Sequence, residues 1–148
     1  DAPVDRDYFA QVQQAARGYP IVIHTDVPLA TLQDLYGAAK IYWHASGYGE
    51  DEQRDPIKFE HFGITTVEAM AAGAVPVVIG KAGQLEVVEN AVSGLHWQTL
   101  DELAAHTQRL IADETLWSRL SRNAIERSRL FSRAAFDERV HELVDGLR

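Results

Sequence analysis

Residues 60–79 read EHFGITTVEAMAAGAVPVVI and combine a helix signal with a strand signal. Small and apolar residues predict a helix over 64–73, where Gly73 is a common residue at a helix end. The apolar run at 75–79 then predicts a strand that is buried on both faces, as in a parallel sheet. A helix that leads directly into such a strand is half of a βαβ unit.

The same alternation continues on both sides of this stretch. Helical spacing predicts helices at residues 7–17, 28–37 and 84–90, and short apolar runs predict strands at 21–25, 41–45 and 94–97. Apolar residues after 99 recur at helical intervals, so residues 100–148 are predicted to be helical, with Ser132 as the N-cap of a last helix that ends near residue 145. The predicted fold class is α/β, a Rossmann-like three-layer α/β/α parallel sheet with a helical C-terminal segment.

A charged and glycine-rich segment interrupts the alternation at residues 47–58. Because it follows a predicted strand, it belongs to the carboxyl edge of the sheet, where open α/β sheets bind ligands. We predict an exposed, mobile loop there. A lid or partner contact and a tolerated insertion are equally compatible with its sequence.

Length and composition narrow the class of protein. With 148 residues, the chain is predicted to form a single domain over residues 1–148. No apolar run approaches the roughly 20 residues of a membrane span, and the first residues lack a signal-peptide pattern. We therefore predict a soluble, cytoplasmic protein. The absence of cysteine excludes disulfides and thiolate chemistry.

The formal net charge of −8 argues against general nucleic-acid binding, which depends on neutralising phosphates. Arginines nevertheless gather near the C-terminus, at Arg119, Arg122, Arg127, Arg129, Arg133 and Arg139. They predict either a solvated helix face, which is the commoner case, or a surface that meets an anionic membrane or another domain.

Two carboxylates flank the predicted helix start at residue 64. Glu60 belongs to the entering loop, and Glu68 lies about one turn inside the helix. Gly63 lets the backbone approach a ligand, and the free amides of the first turn, next to Thr65, attract anions. Such a site could hold a polyhydroxylated ligand at both ends with phosphate between them, as a nucleotide sugar requires. Alternatively, the glutamates only stabilise the helix through its dipole.

The full set of motifs resembles the retaining nucleotide-sugar glycosyltransferases of the GT-B fold, in particular glycosyltransferase family 4. The resemblance covers nearly the whole chain, and its landmarks are residues 44–46, 60–68, 69–73, 75–78, 93–94 and 131–132, with Gly83 and Glu86. It implies the C-terminal, donor-binding half of a two-domain GT-B enzyme. The implied partners are the NDP-sugar donor and an N-terminal domain that binds the acceptor.

The resemblance also implies roles for residues at the sugar end of the donor. Glu60, as the catalytic residue, would bind donor-sugar hydroxyls together with the backbone of Phe62, Gly63 and Ile64. Glu68 would bind the ribose hydroxyls. No metal and no other cofactor is expected, since the NDP-sugar is a substrate.

At the nucleotide end, the resemblance implies that Gly63 and Thr65 approach the diphosphate. The base would be gripped by the loop formed by Thr25, Asp26 and Val27.

The chain also departs from the family pattern. The first strand, the glycine-rich turn and the basic pair that clamps the diphosphate are absent, and Lys58 or Lys81 cannot be assumed to replace them. We therefore predict a fragment of a larger two-domain enzyme that is inactive alone. His61 stands where glycine is commoner, and the string EHFG resembles some mannosyltransferases that build lipid-linked oligosaccharides. A GDP-mannose donor is one hypothesis from that likeness.

Two other functions remain compatible with the sequence. One is a noncatalytic α/β domain for protein association, and the other is a related sugar phosphorylase or synthase domain. His44, His61 and His96 fall in different predicted elements and predict no metal cluster, and His44 is expected to pack near the donor site. The tryptophans, Trp43, Trp97 and Trp117, are predicted to be core or half-buried anchors rather than a platform for sugars.

Overall fold

The computed structural model describes residues 3–146, and the side chains of residues 6–146. The chain divides between Leu32 and Gln33 into two compact units. The first unit contains α1 (Pro3–Ala16) and the segment after it, and the next helix, α2 (Leu29–Ala38), begins there. All later elements belong to the second unit. The prediction of one domain over residues 1–148 stays a prediction.

The second unit is built on a three-stranded parallel sheet. Its strands lie in the order β1 (Ile41–His44), β2 (Val75–Ile79) and β3 (Leu95–Trp97). A short 3₁₀ helix (Pro56–Lys58) and α3 (Ile64–Ala71) connect β1 to β2, and α4 (Gln84–Val87) connects β2 to β3. The α/β fold class predicted from the alternation of elements is confirmed.

Alternate residues of β2 enter two different hydrophobic cores. Val75, Val77 and Ile79 belong to one core, which also contains Leu95, Trp97, Leu110, Leu116 and Leu120. Val78 points the other way and packs with Met70, Val87, Val88 and Ala124. A parallel strand covered on both faces needs apolar residues at every position, which explains the uninterrupted apolar run from 75 to 79.

Three helices follow the sheet, and polar side chains define their first turns. They are α5 (Leu100–Ala112), α6 (Glu114–Ser128) and, after a short 3₁₀ helix (Arg129–Phe131), α7 (Arg133–Asp145). Thr99 and Glu102 form a capping box at α5, Asp113 caps α6, and the Ser132 side chain accepts a hydrogen bond from the amide of Ala135. The predicted helical C-terminal segment and the N-cap at Ser132 are confirmed. No helix within residues 3–146 has the length and apolar character needed to cross a membrane.

The strand predicted at residues 21–25 is wrong. This segment pairs with no strand in the described part of the chain, and the side chains of Ile21 and Val22 are 56% and 75% exposed. An apolar run becomes a strand only where a neighbouring strand accepts and donates its backbone hydrogen bonds. Sequence spacing does not reveal whether such a neighbour is present.

The helix predicted at residues 84–90 ends earlier, at Val87. Val88 is already extended, with φ −105° and ψ 120°, and Asn90 forms a bridge with Gly94. The guanidinium of Arg127 donates to the carbonyl oxygens of Glu86 and Val87. A side chain from α6 therefore satisfies carbonyl groups that a longer helix would have used itself.

Candidate functional site

The candidate site lies in the second unit, at the carboxyl edge of the sheet. His44 ends β1, and the chain returns from the 47–58 loop through Glu60 to the start of α3. Gly63 is the N-cap of that helix, with φ 92° and ψ 52° in the left-handed region. Glycine adopts this conformation without the steric cost of a side chain, so the sharp entry into α3 follows from the residue at 63.

The loop that carries Glu60 rests directly on the start of α4. The amide of Gly83 donates to the carbonyl oxygen of Glu60 at 3.0 Å. A Cβ atom at Gly83 would lie 2.2 Å from the carbonyl oxygen of His61 and 2.8 Å from the amide nitrogen of Phe62. Since Gly83 has an ordinary φ of −57°, this glycine is required by close backbone approach and not by its torsion angles.

Two groups contact the Glu60 carboxylate, one at each oxygen. Oε1 accepts a hydrogen bond from the Phe62 amide at 3.2 Å, and Oε2 lies 3.9 Å from Nε2 of His44. The Glu60 side chain is 35% exposed, whereas the His44 side chain is 8% exposed. Burial lowers the pKa of His44, and the nearby Glu60 opposes that shift only in part. At neutral pH the contact therefore joins a carboxylate and a neutral imidazole.

Two tyrosines lie beside polar side chains of α3, Tyr36 near Glu68 and Tyr42 at Thr65. Burial, and then the negative charge of the nearby Glu68, raise the pKa of Tyr36 to about 12. The hydroxyls of Tyr42 and Thr65 lie 2.8 Å apart. The Tyr36 and Tyr42 rings are neighbours, with centroids 6.4 Å apart. Tyr36 of α2 thus lies near the predicted ribose-binding residue, and Tyr42 connects Thr65 to β1.

Between the two carboxylates, the start of α3 presents unpaired backbone donors. The amides of Gly63, Ile64 and Thr65 donate to no acceptor within residues 3–146, and the side chains of Ile64 and Thr65 are exposed. Helix amides of this kind, together with the helix dipole, favour anions and polar oxygens. The exposed Phe62 ring packs edge-on against Phe131, with centroids 5.7 Å apart. The structure therefore brings together Glu60, Phe62, Gly63, Ile64, Thr65 and Glu68.

Sequence reasoning did not predict the two buried polar side chains that lie beneath the turn at Gly63. Gln84 and Thr66 are fully buried, and neither Oγ1 of Thr66 nor either polar atom of the Gln84 side chain has a partner among the described residues. Both side chains lie under Gly63, where an added Cβ would be 2.5 Å from Nε2 of Gln84 and 3.3 Å from Oγ1 of Thr66. Gln84 comes from α4, which lies far enough along the chain that spacing alone does not relate it to Gly63.

The predicted base-binding residues, Thr25, Asp26 and Val27, belong to the first unit. Asp26 has φ 52°, a left-handed conformation that aspartate tolerates better than most residues. The base-binding role of this loop stays a prediction.

The 47–58 loop is mostly exposed but carries several internal contacts. The Lys58 ammonium lies 2.9 Å from Glu50 and 3.8 Å from Asp55, and the Lys81 ammonium donates to the Glu50 carbonyl oxygen at 3.3 Å. Both lysines thus contact residues of this loop. The predicted mobility of the loop stays a prediction.

Within the described residues, no three histidine or acidic side chains are grouped as a metal ion would need. His61 is exposed, and the Nε2 atom of His96 lies 2.8 Å from the carbonyl oxygen of Val88. Burial lowers the pKa of His96, and the hydrogen bond to Val88 opposes that shift in part.

Stability should fall on mild acidification because of these two histidines. Burial sets the pKa of both His44 and His96 below the usual value near 6.5, so the unfolded chain binds more protons than the folded chain between the folded-state pKa and about 6.5. The free energy of unfolding, measured with urea, should therefore be lower at pH 5.5 than at pH 7. The variants His44→Gln and His96→Gln should flatten this slope, and an unchanged slope in both would contradict the assignment.

Comparison with known proteins supports the same reading of the fold. The sequence profile of the family described as "Glycosyl transferases group 1" matches residues 7–127. The sucrose synthase of Melioribacter roseus is 35% identical over 79 residues, which cover 49% of this chain and 10% of that protein. An enzyme of Dictyostelium discoideum named GDP-Man:Man(3)GlcNAc(2)-PP-Dol alpha-1,2-mannosyltransferase is 32% identical over 89 residues, covering 60% of this chain and 18% of that protein.

Solved structures resemble the chain over most of its length. Sucrose-phosphate synthase from Thermosynechococcus elongatus superposes with a TM-score of 0.72 at 26% identity, covering 96% of this chain and 34% of that one. Anabaena HepE, solved in complex with UDP-glucose, gives 0.71 at 23% identity and covers 95% and 37%. The C-terminal domain of a glycosyl transferase group 1 family protein from Francisella tularensis gives 0.68 at 20% identity and covers 85% and 63%. The region that matches the sucrose synthase is only about a tenth of that relative's length.

Proposed function

The chain belongs to the family of glycosyl transferases group 1, and from that premise we propose that it binds the nucleotide-sugar donor of a retaining GT-B glycosyltransferase of family 4. The reaction of the complete enzyme would be transfer of a hexosyl group from an NDP-sugar to a hydroxyl acceptor. The observation that carries this proposal is the placement of two carboxylates on either side of unpaired amides at the start of α3.

Each part of the donor has a chemical counterpart in this arrangement. The Glu60 carboxylate, with the backbone of Phe62, Gly63 and Ile64, would accept and donate hydrogen bonds to the sugar hydroxyls. The unpaired amides of Gly63 and Thr65 would face the diphosphate oxygens. Glu68, which lies near Tyr36, would accept hydrogen bonds from the ribose hydroxyls.

The chain is proposed to act together with an N-terminal domain that binds the acceptor and completes the site. In the described structure, Lys58 and Lys81 are engaged by the 47–58 loop, so another source of positive charge would stabilise the leaving diphosphate. We therefore expect no transferase activity from this chain alone. A cytoplasmic location, and a contact of the arginine-rich C-terminal helices with a membrane surface, remain predictions.

The placement of the two carboxylates does not determine which sugar the donor carries. A mannosyl donor is suggested by the EHFG string and by the mannosyltransferase relative, and a glucosyl donor by the neighbour solved with UDP-glucose. A sugar synthase is the second candidate function, favoured by the sucrose synthase relatives, and it would use the same donor site.

Calorimetric titration with UDP, GDP and ADP, and with their sugars, tests the proposal. We expect one nucleotide and its sugar to bind in preference to the others. Glu68→Gln should weaken both ligands, because the ribose is common to them, whereas Glu138→Gln on the exposed surface of α7 should weaken neither. If a folded chain bound none of the nucleotides or nucleotide sugars, the donor-binding proposal would be wrong, and a noncatalytic domain for protein association would be the better hypothesis.

A further inference from the structure

His44 is a buried polar residue whose role the donor-binding proposal does not use. It is the last residue of β1, its side chain is 8% exposed, and its Nε2 atom lies 3.9 Å from Oε2 of Glu60. Its other nitrogen, Nδ1, is fully buried and has no hydrogen-bond partner within the described part of the chain. The two ring nitrogens therefore occupy very different environments.

These environments select one tautomer of the neutral ring. A proton on Nδ1 would bury a donor without an acceptor and would turn the Nε2 lone pair towards the Glu60 carboxylate. A proton on Nε2 directs the donor at the carboxylate and leaves only an unfilled acceptor at Nδ1. Unpaired buried donors are rarer than under-used acceptors, and an N–H facing a carboxylate is attractive.

We propose that His44 is a positioning residue for Glu60, holding its proton on Nε2 and orienting the carboxylate for the hydroxyls of the donor sugar. This inference rests on the proposed function of the site. Phe62 holds one oxygen of the carboxylate through its amide and His44 faces the other, so closure of the His44 contact would hold the group at both oxygens. Each oxygen keeps a lone pair for a sugar hydroxyl.

The present distance suggests how the contact changes on binding. At 3.9 Å the pair is longer than a formed hydrogen bond, and a small rotation of the partly exposed Glu60 side chain closes it. Contacts of this kind are often long without ligand and tighten in the complex. Burial keeps the pKa of His44 below its ordinary value, and Glu60 is the titratable group that acts on it, so the ring stays neutral at pH 7.

Two substitutions at His44 distinguish the effect of its N–H hydrogen-bond donor from the effect of its buried ring. His44→Gln keeps an N–H near the position of Nε2, whereas His44→Phe keeps a buried ring without a donor. The whole chain would be titrated with the preferred nucleotide and its sugar. We expect His44→Phe to lower the affinity for the nucleotide sugar about tenfold with the bare nucleotide unchanged, and His44→Gln to keep the wild-type ratio of the two affinities.

His106→Phe is the matched control. Nε2 of His106 donates to the backbone carbonyl oxygen of His96, but His106 lies on α5, and its substitution should change stability without changing the ratio of the two affinities. The positioning role would be overturned if His44→Phe and His44→Gln changed the ratio of the two affinities equally. It would also be overturned if His44→Phe lowered the affinities for the nucleotide sugar and the bare nucleotide by the same factor. Failure of the wild-type chain to bind any nucleotide would instead refute the proposed function.

Nitrogen-15 NMR of the His44 ring gives a test that needs no substitution at His44. At pH 7 we expect the proton on Nε2 and an unprotonated Nδ1. Glu60→Gln should shift the Nε2 resonance and leave Nδ1 nearly unchanged. A ring protonated on Nδ1, or an Nε2 resonance insensitive to Glu60→Gln, would contradict the inference.

Discussion

Replacement of Glu60 by glutamine is expected to lower affinity for the nucleotide sugar about tenfold to a hundredfold. The affinity for the bare nucleotide should stay nearly the same. A carboxylate accepts stronger hydrogen bonds from sugar hydroxyls than an amide does, and the sugar is the part of the donor that Glu60 would contact. Glutamine keeps the oxygen that accepts from the Phe62 amide, so the loop should keep its shape. Calorimetric titration of both ligands measures the difference.

The comparison with Glu68→Gln makes this prediction specific. Glu68 lies on the other side of the unpaired amides, beside Tyr36, and its loss should weaken the nucleotide and the nucleotide sugar alike. Equal losses for the two ligands in Glu60→Gln would contradict the sugar-binding role of Glu60, even if the chain binds nucleotides.

The second large effect is expected at Gly83, where alanine should lower the free energy of unfolding by about 3 kcal/mol. The new Cβ would lie 2.2 Å from the His61 carbonyl oxygen, so the backbone of the loop that carries Glu60 must move. Because φ of Gly83 is −57°, strain in the torsion angles does not contribute. Urea unfolding gives the stability change, and the same variant should lose nucleotide-sugar binding because Phe62 is displaced.

Gly37→Ala is the matched control for this substitution. Gly37 lies within α2, and a Cβ there would meet nothing within 4 Å. Alanine should therefore stabilise the helix by about 0.5–1 kcal/mol. An unfolding midpoint of Gly83→Ala equal to that of the wild-type chain would show that the loop does not depend on the close backbone approach.

Local chemistry explains what could be predicted from the sequence. The helix start at Gly63, the buried strand after Gly73 and the N-cap at Ser132 each depend on residues within a few positions of one another. The same is true of the two carboxylates, since Glu60 and Glu68 belong to one loop and the helix that follows it. The structure therefore agrees with the sequence where spacing along the chain determines spacing in the fold.

Long-range partners explain what could not be predicted. The run at residues 21–25 has the composition of a strand but pairs with none in the described residues, and Trp43, predicted to be an anchor, is 57% exposed while Trp97 is buried. Tyr36 and Gln84 reach the site from α2 and α4. His44 was expected near the donor site, but its contact with Glu60 depends on how the end of β1 lies against the loop before α3. The positions of these residues along the chain do not indicate that they lie close together in the fold.

Amide NMR during titration with GDP-mannose and UDP-glucose tests the claim that a nucleotide sugar binds at the start of α3, because it shows which residues the ligand contacts. We expect saturable shifts at the amides of Gly63, Ile64 and Thr65, with little change along α7. Glu68→Gln should weaken the saturation at the same amides. Saturable binding that perturbs only residues away from the start of α3, or no binding of either sugar to the folded chain, would contradict the claim.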